Sequence, residues 1–411
     1  MKPAMKNQTM QASVCEEPQP KDRPRLAIVV SHPVQHFCPM YRSIAQDERV
    51  ELLVVFCDGG GIARFDTGFG RVIKWQEDIL EGYPHSVVSA EKSERAEAVV
   101  EELRKFSPDV VYVHGYANDY ERKTMKWARR RRIPVMMTTD SELLHPRPWH
   151  IRAMKRVFLP RILRNVDLFL TVGDENERYF EHYNVPRERF HRVPFSIDSA
   201  YYDKALLGKA DIRNSLREKL GISPETAAIL TVGKLIPRKG HADLIRAFAE
   251  ALKSAKHPAV LLIAGDGPER ATLEELGKPL GSAVRLLGFI GVDELPNYYI
   301  AADLYVHPSS MDPHPLAISE ALYCGLPAVV SDRVGSAGPT DDVQVGRNGW
   351  VYPYGDVAAL ASILAKIVDD PTARRKAGET SRELGLLHSA KHCGTLFVDG
   401  ALRALAGGRN R

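Results

Sequence analysis

Short apolar runs rich in β-branched residues recur along the chain. Most are followed by a stretch whose apolar positions return every three or four residues, the mark of a strand alternating with an amphipathic helix. The first strand is "PRLAIVVSH", followed by a helix over 37–46, and the second is "VELLVVFCD". Helix 93–106 then leads to "DVVYVHG", helix 118–131 to "PVMMTT", helix 150–164 to "VDLFLTVG" and helix 175–182 to "RFHRVPF". The runs are nearly continuous in apolar residues, so they predict a parallel sheet covered on both faces. A polar stretch, Ser196 to Thr226, reads as a connection, after which the pattern restarts with "AAILTVGKL". Helix 241–253, "AVLLIAG", helix 268–277, "AVRLLGF", helix 293–299, "DLYVHPS", helix 315–324 and "AVVSD" follow in order. Terminal helices are predicted over 357–368, 371–383 and 392–405.

The expectation is therefore α/β, with two doubly wound domains in series whose carboxyl-end loops face a shared cleft. The boundaries read as a polar, disordered tail over 1–23, a first domain over 24–198 and a linker over 199–226. A second domain covers 227–385 and a final helical segment 386–411. The loop 57–85 is long and rich in glycine and aromatic residues, a composition of functional or disordered loops.

Composition narrows the class. A chain of 411 residues exceeds one ordinary core, and its 44% hydrophobic and 26% charged residues are those of a soluble globular protein. The net charge of +4 is mild and does not call for nucleic acid. The charge is uneven, however: from Glu121 to Arg164 there are thirteen Lys or Arg against three Asp or Glu. That stretch is either a solvated helix face or a surface for anionic lipid or an anionic substrate. No aromatic-interleaved basic motif accompanies it, so no nucleic-acid partner is expected. Cys15, Cys38, Cys57, Cys324 and Cys393 are scattered without metal-ligand spacing, which suggests a reducing compartment and no structural zinc. No run is long and apolar enough to span a bilayer, and no signal-peptide core is present. A cytoplasmic protein is expected, with the basic stretch offering a peripheral position on the inner face of the membrane.

Three stretches carry candidate chemistry. No GxGxxG follows the first strand, "GGG" at 59–61 lies after the second, and no GxxxxGK[ST] or GxSxG occurs, which argues against a dinucleotide oxidoreductase, a P-loop enzyme and a serine hydrolase. "TVGKLIPRKG" ends a strand at Gly233 and supplies Lys234, Arg238 and Lys239 before a helix begins. Such a turn suits a diphosphate, or is simply a basic solvated turn. "IAGDGPER" reads as a tight structural turn, with Asp266 or Gly267 near a helix cap. "MDPHPLAISEALYCGLP" places Asp312 before a helix whose N-terminal N–H groups and dipole suit a phosphate. Glu320 lies one turn into that apolar helix, where an unpaired charge is costly. It needs either a bound hydroxyl donor, such as a ribose, or a local lysine or backbone partner. The pair "TDD" at 340–342 sits in a loop after the last core strand, where it does not read as a metal site.

These stretches carry a family resemblance. "VGKLIPRKG", "IAGDGPE", "VRLLGFI", "AADLYVHPS" and "DPHPLAISEALYCGLPAVVSD" resemble, in order and spacing, the C-terminal half of the GT-B glycosyltransferases of family 4, across most of 227–370. "SHPVQHFCPMYR", "FDTGFGRVIKWQEDILEGY" and "NVPRERFHRVPFSID" resemble a bacterial group 1 subset in the first half. The resemblance implies two Rossmann-like domains about a cleft, with the last helix crossing back to the first domain. It further implies a retaining, metal-independent hexosyltransferase with no cofactor. The donor would be a UDP- or GDP-linked sugar, and the acceptor a glycan or lipid-linked molecule in polysaccharide or glycoconjugate biosynthesis. Carried over residue by residue, Lys234 and Lys239 hold the diphosphate, Glu320 the ribose and backbone at Phe289 and Ile290 the base. Gly233 and Leu316 belong to the same donor-binding set, and His114 and Asp312 contact the transferred sugar.

Three positions depart from the family pattern. Asp312 stands for the first Glu of a Glu-x7-Glu pair, Pro315 replaces a Gly and removes an N–H, and Lys234 replaces an Arg with its bidentate fork. They leave a non-catalytic sugar-nucleotide-binding homologue and a sugar-nucleotide epimerase as alternatives.

Overall fold

The computed structural model describes residues 23–58, 63–66, 71–74, 79–145 and 147–408, so the tail 1–22 lies outside the described residues. The first half builds β1 (Arg25–Val30), α1 (Cys38–Ala45), β2 (Glu51–Phe56), β3 (Ala63–Asp66), β4 (Arg71–Lys74), β5 (His85–Val87) and α2 (Arg95–Phe106). It continues with β6 (Val110–His114), α3 (Asp119–Arg130), β7 (Val135–Thr138), α4 (Trp149–Leu163), β8 (Leu168–Thr171), α5 (Asp174–His182) and β9 (Phe190–Arg192). Its sheet runs β5-β2-β1-β6-β7-β8-β9, with every pairing parallel. Leu26, Ala27, Ile28 and Val29 of β1 are fully buried, as a central strand covered on both faces requires. Val99, Leu103, Trp127 and Phe180 from α2, α3 and α5 fill one face. Met40, Tyr41 and Ile44 from α1 fill part of the other.

The second half comprises α6 (Ser199–Leu207), α7 (Lys209–Lys219), β10 (Ala227–Val232), α8 (His241–Ser254), β11 (Ala259–Ala264), α9 (Arg270–Gly277), β12 (Val284–Gly288) and α10 (Leu295–Ala301). Next come β13 (Leu304–His307), α11 (Leu316–Tyr323), β14 (Ala328–Ser331), β15 (Gly349–Tyr352), α12 (Val357–Asp369), α13 (Pro371–Gly385) and α14 (Ala390–Gly408). Its sheet is β12-β11-β10-β13-β14-β15, again parallel throughout. This is the two-domain, doubly wound architecture expected.

Three details differ from the pattern reading. The stretch taken as a polar connection folds into α6 and α7, which bury Tyr202, Ala205 and Ile212 against the second domain. Its polarity misled because Arg217, 5% exposed, is spent inside: it bonds Asp303 and the carbonyls of Ala301, Ser223 and Thr226. The short edge strands β5 and β15 carried no apolar run long enough to read. Within the long loop, β3 and β4 pair as an antiparallel hairpin.

Helix α14 returns to the first domain and completes its second face with Cys393, Phe397, Val398 and Ala401. It lies so close to α1 that a Cβ at Gly394 would sit 2.7 Å from Ser43 Oγ. The domains also meet through a polar joint. The Asp174 N–H donates to Asp341 Oδ2 at 2.6 Å, and the Asp174 carboxylate accepts from Thr340 N at 2.9 Å and Arg192 at 2.8 Å. His388 bridges the Phe195 carbonyl (2.9 Å) and the Asp342 carboxylate (2.7 Å). Both partners only accept, so both ring nitrogens donate and the imidazole is cationic. Burial opposes that charge, but Asp342 outweighs it and raises the His388 pKa.

Candidate active site

Each sheet has a strand that ends in Tyr-Val-His. Beside β1, β6 ends in Tyr112, Val113 and His114; beside β10, β13 ends in Tyr305, Val306 and His307. In both the tyrosine hydroxyl lies 3.0 Å from the histidine Nδ1, fixing the ring and turning Nε2 outward. Burial lowers the pKa of both rings, so both are neutral at pH 7.

In the second domain, His307 Nε2 donates to Asp312 Oδ2 at 2.8 Å, and Lys239 Nζ donates to the same oxygen. Burial alone would push the Asp312 carboxyl up; the His307 hydrogen bond and the Lys239 ammonium hold it well below the usual carboxylate range. Lys239 reaches this point because Gly240 turns the chain at φ 71°, the left-handed region, where a Cβ would strike the Pro308 carbonyl at 2.1 Å. The Lys239 stem passes over Gly233, 3.9 Å from where a Cβ would be built. Lys234 follows Gly233 in the same turn and is partly buried. Asp312 does not cap α11: the position before that helix is Pro315, and no side chain caps it.

Glu320 projects from α11 among tyrosines. Tyr299 Oη donates to Glu320 Oε2 at 2.8 Å. Burial raises the Glu320 pKa to about 7, against the hydrogen bonds of Tyr299 and Tyr202. The partner sought from sequence, a lysine, backbone or ligand, is thus a tyrosine in the unliganded chain. Glu320 as a whole residue is partly buried. Phe289 and Ile290 follow β12 at the same carboxyl edge and are partly buried, Ile290 against the core that also holds Tyr299.

The two domains share a cleft of about 350 Å³, lined from one side by His32, His36, Phe37 and His114 and from the other by His314 and Leu316. It brings His114 and the start of α11 together, as the family pattern implies. Asp140 also lines it and was not singled out in the sequence. Nor were His36, whose pKa burial first and then the neighbouring His114 ring lower to about 3, and His307. His307 was legible: its Tyr-Val-His repeats that of His114, while Asp140 follows a strand without any motif.

Among the described residues, His314, Asp341 and Asp342 form the one group with metal-ligand atoms clustered, within 4.8 Å. Their carboxylates already accept hydrogen bonds from Asp174 N, Asp342 N, His388 and Ser319. Burial and the neighbouring Asp342 push the Asp341 carboxyl up from its ordinary range. The group serves the domain joint.

Two doubly wound parallel-sheet domains in series, with His114 and the start of α11 lining the cleft between them, have the GT-B glycosyltransferase architecture. Residues 32–196 match the family described as "Glycosyl transferase 4-like domain" and residues 212–384 the one described as "Glycosyl transferases group 1". The chain belongs to the group 1 glycosyltransferases.

One relative is a GDP-mannose-dependent monoacylated alpha-(1-6)-phosphatidylinositol monomannoside mannosyltransferase of Corynebacterium glutamicum. It is 27% identical over 245 residues, covering 58% of this chain and 62% of that protein. Alpha-monoglucosyldiacylglycerol synthase of Acholeplasma laidlawii is 25% identical, covering 73% of this chain and 77% of its own. The fold matches that of Anabaena HepE in complex with UDP, with a TM-score of 0.68 at 19% identity over 92% of this chain and 98% of that one.

Proposed function

We propose that this enzyme moves a hexose, with retention, from a UDP- or GDP-linked donor to a glycan or lipid-linked acceptor. Lys239 and Lys234 neutralise the departing diphosphate, and the first N–H groups of α11 add their dipole. Glu320 exchanges its tyrosine hydrogen bond for, or shares it with, the donor ribose. His114, neutral and fixed by Tyr112, and Asp312 position the sugar from opposite walls. No bridging metal is needed where lysines carry the counter-charge. The observation supporting this reading most directly is the Lys239–Asp312–His307 cluster, which sets a cation and a carboxylate side by side at the end of β13.

Acceptor delivery is proposed at a membrane surface. Helix α4 leaves Trp149 79% and Phe158 60% exposed, beside Met154 and Val157 and among Arg152, Arg156 and Arg161. Exposed aromatics among cations suit an anionic bilayer interface. Among the described residues no helix is long and apolar enough to cross one.

The test is a thermal-shift screen of UDP-, GDP- and ADP-sugars, followed by nucleotide release and the anomeric configuration of the product. Stabilisation by one donor class, with release of its nucleotide and retained configuration, is expected. Binding without turnover under any acceptor would favour a non-catalytic homologue. Epimerised donor in the absence of acceptor would favour an epimerase.

A further inference from the structure

A second cavity, of about 410 Å³, opens between α4 and α5 and reaches the reaction cleft. Asp140 lines both spaces, and Pro313, beside Asp312, also lines this cavity. The outer part is lined by Arg147, Arg152 and Lys155, with His182 from the last turn of α5. Arg152 and Lys155 stand three residues apart on α4 and so share a face. Among the described residues none of these three cations pairs with a carboxylate. Lys155 instead meets Tyr179, 3.3 Å from its hydroxyl and 5.4 Å above its ring centroid. The remaining acid of the lining, Glu142, is already held by His145 at 2.8 Å. The cavity thus combines three cations without a carboxylate partner and one carboxylate, Asp140, that it shares with the cleft.

From this we infer that the cavity is the acceptor subsite, and that the acceptor carries a phosphate-type anion near the hydroxyl that receives the sugar. The inference rests on the transferase reading. The three cations hold the anion by charge-assisted hydrogen bonds, while the neutral sugar portion extends past Asp140 toward His114. The anion can belong to a phospholipid headgroup presented at α4 or to a soluble phosphorylated glycan, because the recognising chemistry is the same.

The test uses glycerol phosphate and glycerol as soluble probes, followed by saturation-transfer NMR, and vesicles of phosphatidylglycerol or phosphatidylcholine, followed by sedimentation. The double variant Arg152→Ala/Lys155→Ala is set beside Arg161→Ala/Arg164→Ala, which removes the same charge from α4 and its end outside the cavity lining. Glycerol phosphate is expected to bind and glycerol not to, with affinity falling roughly tenfold in the first double variant and holding in the second. Phosphatidylglycerol vesicles losing affinity selectively in the first variant would assign the anion to a lipid. Selectivity with the soluble probe alone would assign it to a soluble acceptor. Equal losses of glycerol phosphate affinity in both variants, equal binding of glycerol, or no anion binding by either probe would overturn the inference. Donor-sugar hydrolysis, measured on the same preparations, separates the two readings. A protein that binds glycerol phosphate at this cavity but turns over no nucleotide sugar retires the transferase and leaves an anion site.

Discussion

Asp312→Asn is the substitution that most sharply divides a structural from a chemical role. In the folded chain one oxygen of Asp312 receives both His307 Nε2 and Lys239 Nζ, and the Asp312 and Lys239 side chains are each only 15% exposed. Asn keeps the volume and one acceptor but loses the charge, leaving the Lys239 ammonium without its counter-ion. Removing one partner of a fully buried pair costs about 3–5 kcal/mol. Because both side chains keep that partial exposure, roughly 2–3 kcal/mol is the better figure. That corresponds to a fall in Tm of about 4–10 °C for a domain of this size. The Asp312 pKa is depressed, so its contribution is fully present above the ordinary carboxylate pKa and is lost only as pH falls toward the folded value. The gap between wild type and variant should therefore stay constant from pH 5 to 8. Turnover should drop about 30- to 1000-fold, the range of a 2–4 kcal/mol loss of transition-state stabilisation, with donor affinity little changed. Differential scanning fluorimetry across pH and steady-state kinetics measure both. Wild-type kcat with wild-type Tm in the Asn variant would refute the account.

Lys239→Ala should cost about 2–4 kcal/mol in kcat/KM for donor with the fold intact, and Lys234→Arg should be tolerated or improve donor use; stopped-time donor kinetics decide both. Glu320→Gln should abolish the pH dependence of stability that a carboxylate raised to about 7 imposes. A raised acid stabilises the fold less as pH climbs from its unfolded value through 7, so Gln should gain relative stability at pH 8 by thermal melts. Donor binding at pH 6.5 should release a proton if ribose hydroxyls favour the ionised Glu320, seen as buffer-dependent heats in calorimetry. Trp149→Ser/Phe158→Ser should weaken sedimentation with anionic vesicles while leaving soluble turnover unchanged, and salt should weaken wild-type binding because exposed charges are screened beyond about 10 Å at 0.1 M. Transfer should persist in EDTA; loss that a divalent ion restores would turn attention to His314, Asp341 and Asp342.

The architecture was legible because parallel strands buried on both faces leave unbroken apolar runs, as in Leu26–Val30 and Ala259–Ala264. Glu320 and Lys239 stood out because a charge in an apolar helix and a cation after a strand-end glycine both ask for an explanation. What pattern could not give was partnership. Nothing local to Asp312 points to Lys239, 73 positions earlier. Asp140 and the α4 cavity stayed hidden for the same reason: their meaning lies in which walls they share. The linker reading of 196–226 failed because polarity was equated with solvation, whereas Arg217 is buried by gripping carbonyls.

The return of α14 to the first sheet has a consequence for synthesis. The face made by Leu26, Ile28, Met136 and Leu170 is completed by Phe397, Val398 and Ala401, from the opposite end of the chain. As the polypeptide leaves the ribosome, the first domain emerges early but stays half-covered, while the second can close its own two cores. Its apolar face then waits for the last twenty or so residues, the long-range pairing that makes folding slow and exposes intermediates to aggregation. The nascent chain thus matures in reverse order of its domains. A premature stop before Ala390 would leave a finished second domain tethered to a sticky, unfinished first one.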